Sequence, residues 1–248
     1  MAEQSEPVAA AWAACAPARP GRAGRFIGRL LRRAYQLSGT DRYDAVHLEW
    51  LHSTPLLVIP SVFSPVRLRT GAFLAAQLDA RTVAAEAAVL DMGTGSGVCA
   101  VQAAQRARRV LAVDVNPAAV RCATINALLN RVESRVEVRH GDLFDSVGGE
   151  RFDLIVFNPP FVRGAPRDDR DRAWRSLDVP ERFAAGLPRH LRPGGCALVL
   201  LSSFGDAQHF LAQFARQRLH TVVLAERRFF NERLAVLRVA PAAQPGAP

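Results

Sequence analysis

The sequence predicts an α/β fold with a doubly wound, mainly parallel sheet, and three observations predict it. From Leu56 onward, short apolar runs rich in Val, Leu and Ile alternate with stretches of helical periodicity, the rhythm of βαβ units with helices on both faces of a sheet. One run, Val89-Leu90-Asp91, passes directly into the glycine-rich turn Met92-Gly93-Thr94-Gly95-Ser96-Gly97, which opens a helix. The last two runs, Thr221 to Glu226 and Arg233 to Val239, read as a closing antiparallel hairpin.

In chain order, Leu56 to Val62 reads as an early strand and Thr70 to Ala80 as a helix. The first core strand is Ala88 to Asp91, followed by a helix over Val98 to Gln105 and the strand Val110 to Asp114. A helix over Ala118 to Leu129 leads to the strand Val136 to Val138, and Asp153 to Phe157 forms the next strand. A helix over Glu181 to Leu191, the strand Ala197 to Leu201 and a helix over Ala207 to Arg218 precede the hairpin. Residues 1–24 and 241–248 are rich in Ala, Pro, Gly and Arg or Gln without apolar periodicity, and both are expected to be disordered. Between the first of these and the early strand, Phe26-Ile27, Leu30-Leu31 and Ala34 interleave with arginines as a short basic amphipathic helix.

No run reaches the roughly 18 apolar residues of a membrane span, and Glu3 and Glu6 stand where a signal peptide carries positive charge, so a cytoplasmic protein is expected. Cys15, Cys99, Cys122 and Cys196 are scattered without a C-x-x-C pair, and the six histidines show no paired spacing; no metal is expected. The net charge of +9 suits a polyanionic partner, but all 32 basic residues are Arg and the chain is rich in Ala, a pattern of coding bias that weakens the inference.

The glycine turn supplies tight backbone curvature and close ligand approach. Gly95-Ser96-Gly97-Val98-Cys99-Ala100 also satisfies the G-x-G-x-x-A form of nicotinamide enzymes, so a dinucleotide competes at this point. Asp114, with Val115 beside it, ends the next strand seventeen positions after Gly97, where a carboxylate accepts ribose hydroxyls or caps the helix starting near Pro117. Gly141-Asp142-Leu143 puts another carboxylate and an apolar side chain where an adenine ring can lie, or forms a plain turn.

Asp153-Leu154-Ile155-Val156-Phe157-Asn158-Pro159-Pro160-Phe161 carries most information. Two consecutive prolines fix φ and remove two donors, leaving the carbonyls around Asn158 and Pro159 as rigid acceptors. With the Asn158 amide oxygen they suit an NH₂ group, and Phe161 can stack on the plane to which that group belongs. Orientation then supplies most of the catalysis, with the reacting nitrogen held in line and no strong general base required.

These residues resemble class I methyltransferases of the N-P-P-Y/F type, and among them the HemK-like protein glutamine methyltransferases, over residues 60 to 239. The resemblance implies a Rossmann-like, seven-stranded sheet and S-adenosylmethionine as cofactor. It places Asp91, Gly93, Thr94, Gly95, Gly97, Asp114, Val115, Asp142 and Leu143 on the cofactor, with Asn158 bordering it, and makes Asn158, Pro159, Pro160 and Phe161 the transfer site. It implies methylation of a planar amide or amine nitrogen, with a protein glutamine, for example in a translation factor, as the first candidate. An exocyclic base nitrogen in RNA or DNA, a small metabolite, and a non-catalytic binding subunit remain alternatives.

Ser64-Pro65-Val66-Arg67-Leu68-Arg69-Thr70-Gly71 departs from the family by lacking an acidic pair: Thr70 can still touch cofactor or substrate, whereas Arg67 and Arg69 give the entrance the opposite charge. The insertion 162–180, holding Arg163 and Trp174, is expected to select the substrate or to be a solvated charged loop. The chain thus divides into a disordered segment (1–24), a helical and strand extension (25–60), a methyltransferase domain (61–240) and a tail (241–248).

Overall fold

The computed structural model describes residues 45–168, 171–230 and 232–242. The disorder expected of residues 1–24, the basic amphipathic helix and most of the tail lie outside the described residues.

A hairpin comes first: β1 (His47–Leu51) pairs antiparallel with β2 (Thr54–Val58). Helix α1 (Thr70–Ala75) leads to β3 (Ala88–Met92), then α2 (Val98–Ala104), β4 (Arg109–Asp114), α3 (Pro117–Leu129) and β5 (Val136–His140). The chain continues through β6 (Phe152–Phe157), a ribbon of β7 (Val162–Arg163) and β8 (Arg175–Ser176), α4 (Val179–His190), β9 (Leu191–Ser202), α5 (Ala207–Arg216), β10 (Leu219–Arg228) and β11 (Arg233–Pro241). The main sheet has seven strands in the order β10-β11-β9-β6-β3-β4-β5. The five strands from β9 to β5 are parallel, and β10 and β11 close the sheet as an antiparallel hairpin.

Two sequence expectations change. The early strand ends at Val58 rather than Val62 and belongs to a separate two-stranded ribbon, not to the main sheet. The helix expected through Ala80 stops at Ala75, where the bonds Gln77 N–H to Leu74 O and Leu78 N–H to Ala75 O tighten the last turn.

Alternation along the strands builds two cores. Ile155 and Phe157 point into a layer with Leu90, Met92, Phe183 and Phe214, while Leu154 and Val156 point to the other face with Val89, Leu198 and Val236. All five residues of β3 are buried, as a central parallel strand demands. The strand order reverses at β3: β4 and β5 lie to one side and β6 to the other. A crevice therefore opens at the carboxyl ends of β3 and β6, where the glycine turn and Asn158 sit.

Candidate active site

The glycine turn is held from two sides. Asp91, 3% exposed, accepts the Thr94 hydroxyl (2.6 Å) and the Ala100 backbone N–H (2.9 Å) on one carboxylate oxygen, tying the strand end to the first turn of α2. Gly93, Gly95 and Gly97 all have positive φ (63°, 56° and 81°). At Gly97 a Cβ would lie 2.9 Å from the Ala123 backbone, so the glycine also lets α2 approach α3. Gly95 is open on its Cβ side, as a backbone approached by a ligand must be.

Asp114 closes the turn from the neighbouring strand. Its carboxylate accepts the Gly95 N–H and the Asn116 N–H, each at 2.8 Å. It does not cap α3: that role falls to Asn116, whose amide oxygen accepts the Ala118 N–H ahead of Pro117. Of the two roles the sequence left open, the structure removes capping. Burial raises the Asp114 pKa, and its backbone hydrogen bonds only partly oppose this.

Burial also pushes Asp91 from 3.8 up to about 7, against the lowering effect of its two hydrogen bonds. The unfolded carboxyl ionises near 3.8 while the folded one keeps its proton until about 7, so this group's stabilising contribution is full below 3.8 and lost as pH rises through 7. Thermal melts of the ligand-free protein should decline across that window, and Asp91→Asn should flatten the decline. An offset between the two proteins that does not vary with pH would contradict the assignment.

Asp142 and Leu143 follow β5. Asp142 gives one carboxylate oxygen to Arg182 of α4 (2.8 Å), a partner the sequence did not suggest, while its other oxygen has none among the described residues. Leu143 is buried with φ of 50°, a left-handed conformation that bulky residues adopt only where the surroundings enforce it. Asp142, Asp114, Gly95 and Asn158 thus stand at the ends of four adjacent strands, β5, β4, β3 and β6, spanning about 14 Å at ~4.8 Å per strand.

Asn158 follows β6 directly. Its Nδ2 donates to Thr70 Oγ1 at 3.4 Å, and its Oδ1 is buried without a partner among the described residues. A buried amide oxygen left unsatisfied costs about 1–3 kcal/mol and calls for a donor that is not part of the chain. Phe161 is partly buried against the core layer that holds Val156 and Leu200, its carbonyl accepts the Asp206 N–H (2.9 Å), and Gly205 packs so tightly on its backbone that a Cβ would not fit.

Thr70 touches the transfer residue and so serves to orient it. Thr70→Val should lower kcat about five- to tenfold, the worth of a net ~1 kcal/mol hydrogen bond, while Thr70→Ser keeps it and the KM for the methyl donor stays unchanged in both. A fully active Val variant would show that the hydroxyl orients nothing.

The remaining sequence candidates are placed less centrally. Arg163 lies exposed on β7, and Trp174 packs edge-on against Phe63 (5.2 Å), bracing the 162–176 ribbon against the stretch before α1. Within that ribbon the buried Asp171 accepts Arg167 (3.1 Å) and pairs with Arg175 (3.3 Å), so it offsets two of the loop's arginine charges. The basic entrance also needs correction: Arg67 pairs with the buried Glu49 at 3.0 Å, so of the two only Arg69 has no ion pair among the described residues. Glu49 also accepts Ser64 and faces His47 on the same strand, a cluster hidden in the sequence because Ser64 and Arg67 lie beyond β2, Ser64 fifteen residues after Glu49. Asn126 is a further residue that sequence reasoning missed. Fully buried on α3, it bonds the Leu57 backbone and Ser96 O, pinning the hairpin to the glycine turn; a lone Asn inside an Ala-rich helix was the available signal.

Among the described residues no cluster of His, Cys, Asp or Glu could hold a metal, and no helix is long and apolar enough to cross a membrane.

Known proteins share both sequence and fold with this chain. It is 36% identical over 137 residues to the ribosomal RNA small subunit methyltransferase C of Alcanivorax borkumensis, covering 55% of this chain and 39% of that one. It is 34% identical over 185 residues to the release factor glutamine methyltransferase of Koribacter versatilis, covering 68% and 65%. The chain therefore spans less than two thirds of these relatives' own lengths. Among solved structures, the T. thermophilus 16S rRNA N2 G1207 methyltransferase in complex with AdoMet and guanosine shares the fold, with a TM-score of 0.60 at 23% identity over 79% of this chain and 50% of that one. The open Gly95, the paired acceptor Asp114 and the half-free Asp142 fit S-adenosylmethionine in order along the strand ends. With residues 54–230 matching its model, the chain belongs to the methyltransferase small domain family.

Proposed function

We propose that this chain transfers a methyl group from S-adenosylmethionine to a planar nitrogen bearing an NH₂ group. The observation that carries this reading is the buried, unpartnered Asn158 Oδ1 at the carboxyl end of β6. Thr70 holds Nδ2, so the oxygen of the amide is the group left to accept. An NH₂ group donating to Oδ1 and to a carbonyl of the Asn158-Pro159 stretch has both protons engaged, which directs the nitrogen lone pair out of that plane and along the crevice. Pro159 and Pro160 have no N–H, so between Asn158 and Phe161 the backbone offers acceptors only. S-adenosylmethionine held by the Gly95 turn, Asp114 and Asp142 would supply an electrophilic methyl group and leave as the neutral thioether, and the nitrogen that takes the methyl would pass a proton to solvent. The chain's contribution is alignment, with Asn158 Oδ1 and the adjoining carbonyl favouring the positive charge that develops on nitrogen.

A side-chain amide and an exocyclic base amine both present this planar NH₂. The relatives include a release factor glutamine methyltransferase and an rRNA methyltransferase, so the family alone supports a protein glutamine and a nucleobase equally. Tritiated methyl donor incubated with the protein and a cell extract, followed by protease or nuclease digestion, tests the reading. Label should enter a macromolecule and be released by one of the two treatments; no incorporation would contradict it.

A further inference from the structure

The hairpin joining β10 to β11 brings an aromatic and cationic group to the transfer site. Arg69 immediately precedes Thr70, and its guanidinium lies 4.5 Å from the centroid of the Phe229 ring. Arg227 lies 5.9 Å from the same ring. Neither arginine forms an ion pair among the described residues, although both are exposed and permanently charged. The two carboxylates of the hairpin are engaged elsewhere: Glu226 by Arg228 and Arg233, and Glu232 by the Ser202 hydroxyl (2.6 Å). Arg69 is held in this position by a left-handed backbone, φ 63°, at the start of α1.

Two guanidinium groups sharing one ring without counter-ions raise the local potential and leave their N–H forks open for an anion. The chain also exposes two apolar rings that the fold does not use, one of them next to Phe229 in sequence. Phe230 is fully exposed and Phe204 is 51% exposed; each lies two residues along the chain from one partner of the Ser202–Glu232 bond, with Phe204 N–H donating to Ser202 Oγ at 3.1 Å. Phe161 carries the carbonyl against which Asp206, two residues after Phe204, is fixed. Cations for a phosphate next to Thr70, which itself bonds Asn158, and exposed rings for bases are the elements of a single-strand binding surface.

We propose that Arg69 and Arg227, stacked on Phe229, seat a backbone phosphate of a single-stranded nucleic acid acceptor, with Phe230 and Phe204 stacking bases flanking the one delivered to Asn158. This rests on the planar-nitrogen reading and commits it to an exocyclic base amine. A peptide acceptor would engage the two guanidinium groups only where it carries carboxylates of its own, whereas every nucleotide brings a phosphate.

The test measures anisotropy of a fluorescein-labelled, mixed-sequence single-stranded RNA of about 15 nucleotides, within the range such surfaces occupy. Arg69→Gln/Arg227→Gln should weaken binding tenfold or more and reduce the slope of log affinity against log salt by about 0.7 for each phosphate no longer neutralised. Phe230→Ala should weaken binding about fivefold or more with the slope unchanged. Methyl-donor affinity by calorimetry should be the same in all three proteins. Unchanged RNA affinity and slope in the double variant, or no RNA binding by the wild type, would overturn the proposal. So would label from the tritium experiment released by protease alone, an outcome that leaves the planar-nitrogen reading standing.

Discussion

Asn158→Ala lowers kcat by about 10²–10³, the usual loss when a preorganised hydrogen-bonding group at a reacting centre is removed, and leaves methyl-donor affinity within a few fold. The expectation follows from how Asn158 is held. Its Nδ2 is engaged by Thr70, its Oδ1 is buried and unpaired, and the strand before it is packed in the centre of the sheet, so truncation removes an acceptor without disturbing β6. Because the unsatisfied oxygen is relieved only when an acceptor nitrogen arrives, the loss falls on the transfer step. The folded state gives up little, since the wild type already bears the cost of an unpaired buried oxygen. Single-turnover kinetics separates the two effects. Loss of donor affinity in the variant would move Asn158 from the transfer site to the cofactor site.

Asp114→Ala has the opposite signature, with methyl-donor affinity falling about 100-fold or more and little change in the rate from the bound state. The carboxylate now fixes the Gly95 and Asn116 backbone N–H groups and has lone pairs left for two ribose hydroxyls. Hydrogen bonds to a charged group are worth about 1.5–3 kcal/mol each, so losing two costs about 10² or more in affinity, and a slackened turn adds to that. Asp114→Asn, which keeps one acceptor oxygen, should fall between. Calorimetry at fixed pH and salt reads both values; an Ala variant with wild-type affinity would show that Asp114 serves the turn alone.

Much of this arrangement is legible in the chain, for local reasons. Buried parallel strands such as Ala88–Met92 and Phe152–Phe157 are nearly continuous apolar runs, and the turn after β3 needs positive φ at three positions, which only glycine meets freely. Asn-Pro-Pro-Phe is contiguous, so its chemistry can be read without knowing what it faces. What stays hidden is partnership across long separations. Asp142 bonds Arg182 forty residues on, Arg67 is neutralised by Glu49, and Asn126 reaches back sixty-nine residues to Leu57. The hairpin of β1 and β2 is misread from sequence because its apolar pattern does not say which sheet, if any, it joins. Arg69 is legible only by half. Its charge is visible, but its stacking on Phe229, which lies on the closing hairpin, depends on tertiary structure.

The central claim, that Asn158 presents a planar nitrogen to the methyl donor, is tested most directly by the bond that is made. A carbon-labelled methyl donor, a nitrogen-labelled extract and the wild-type protein should give a product whose methyl resonance shows one-bond carbon–nitrogen coupling, and Asn158→Ala should give almost none of that product. A transferred methyl group without that coupling, bonded to carbon, oxygen or sulfur, would contradict it.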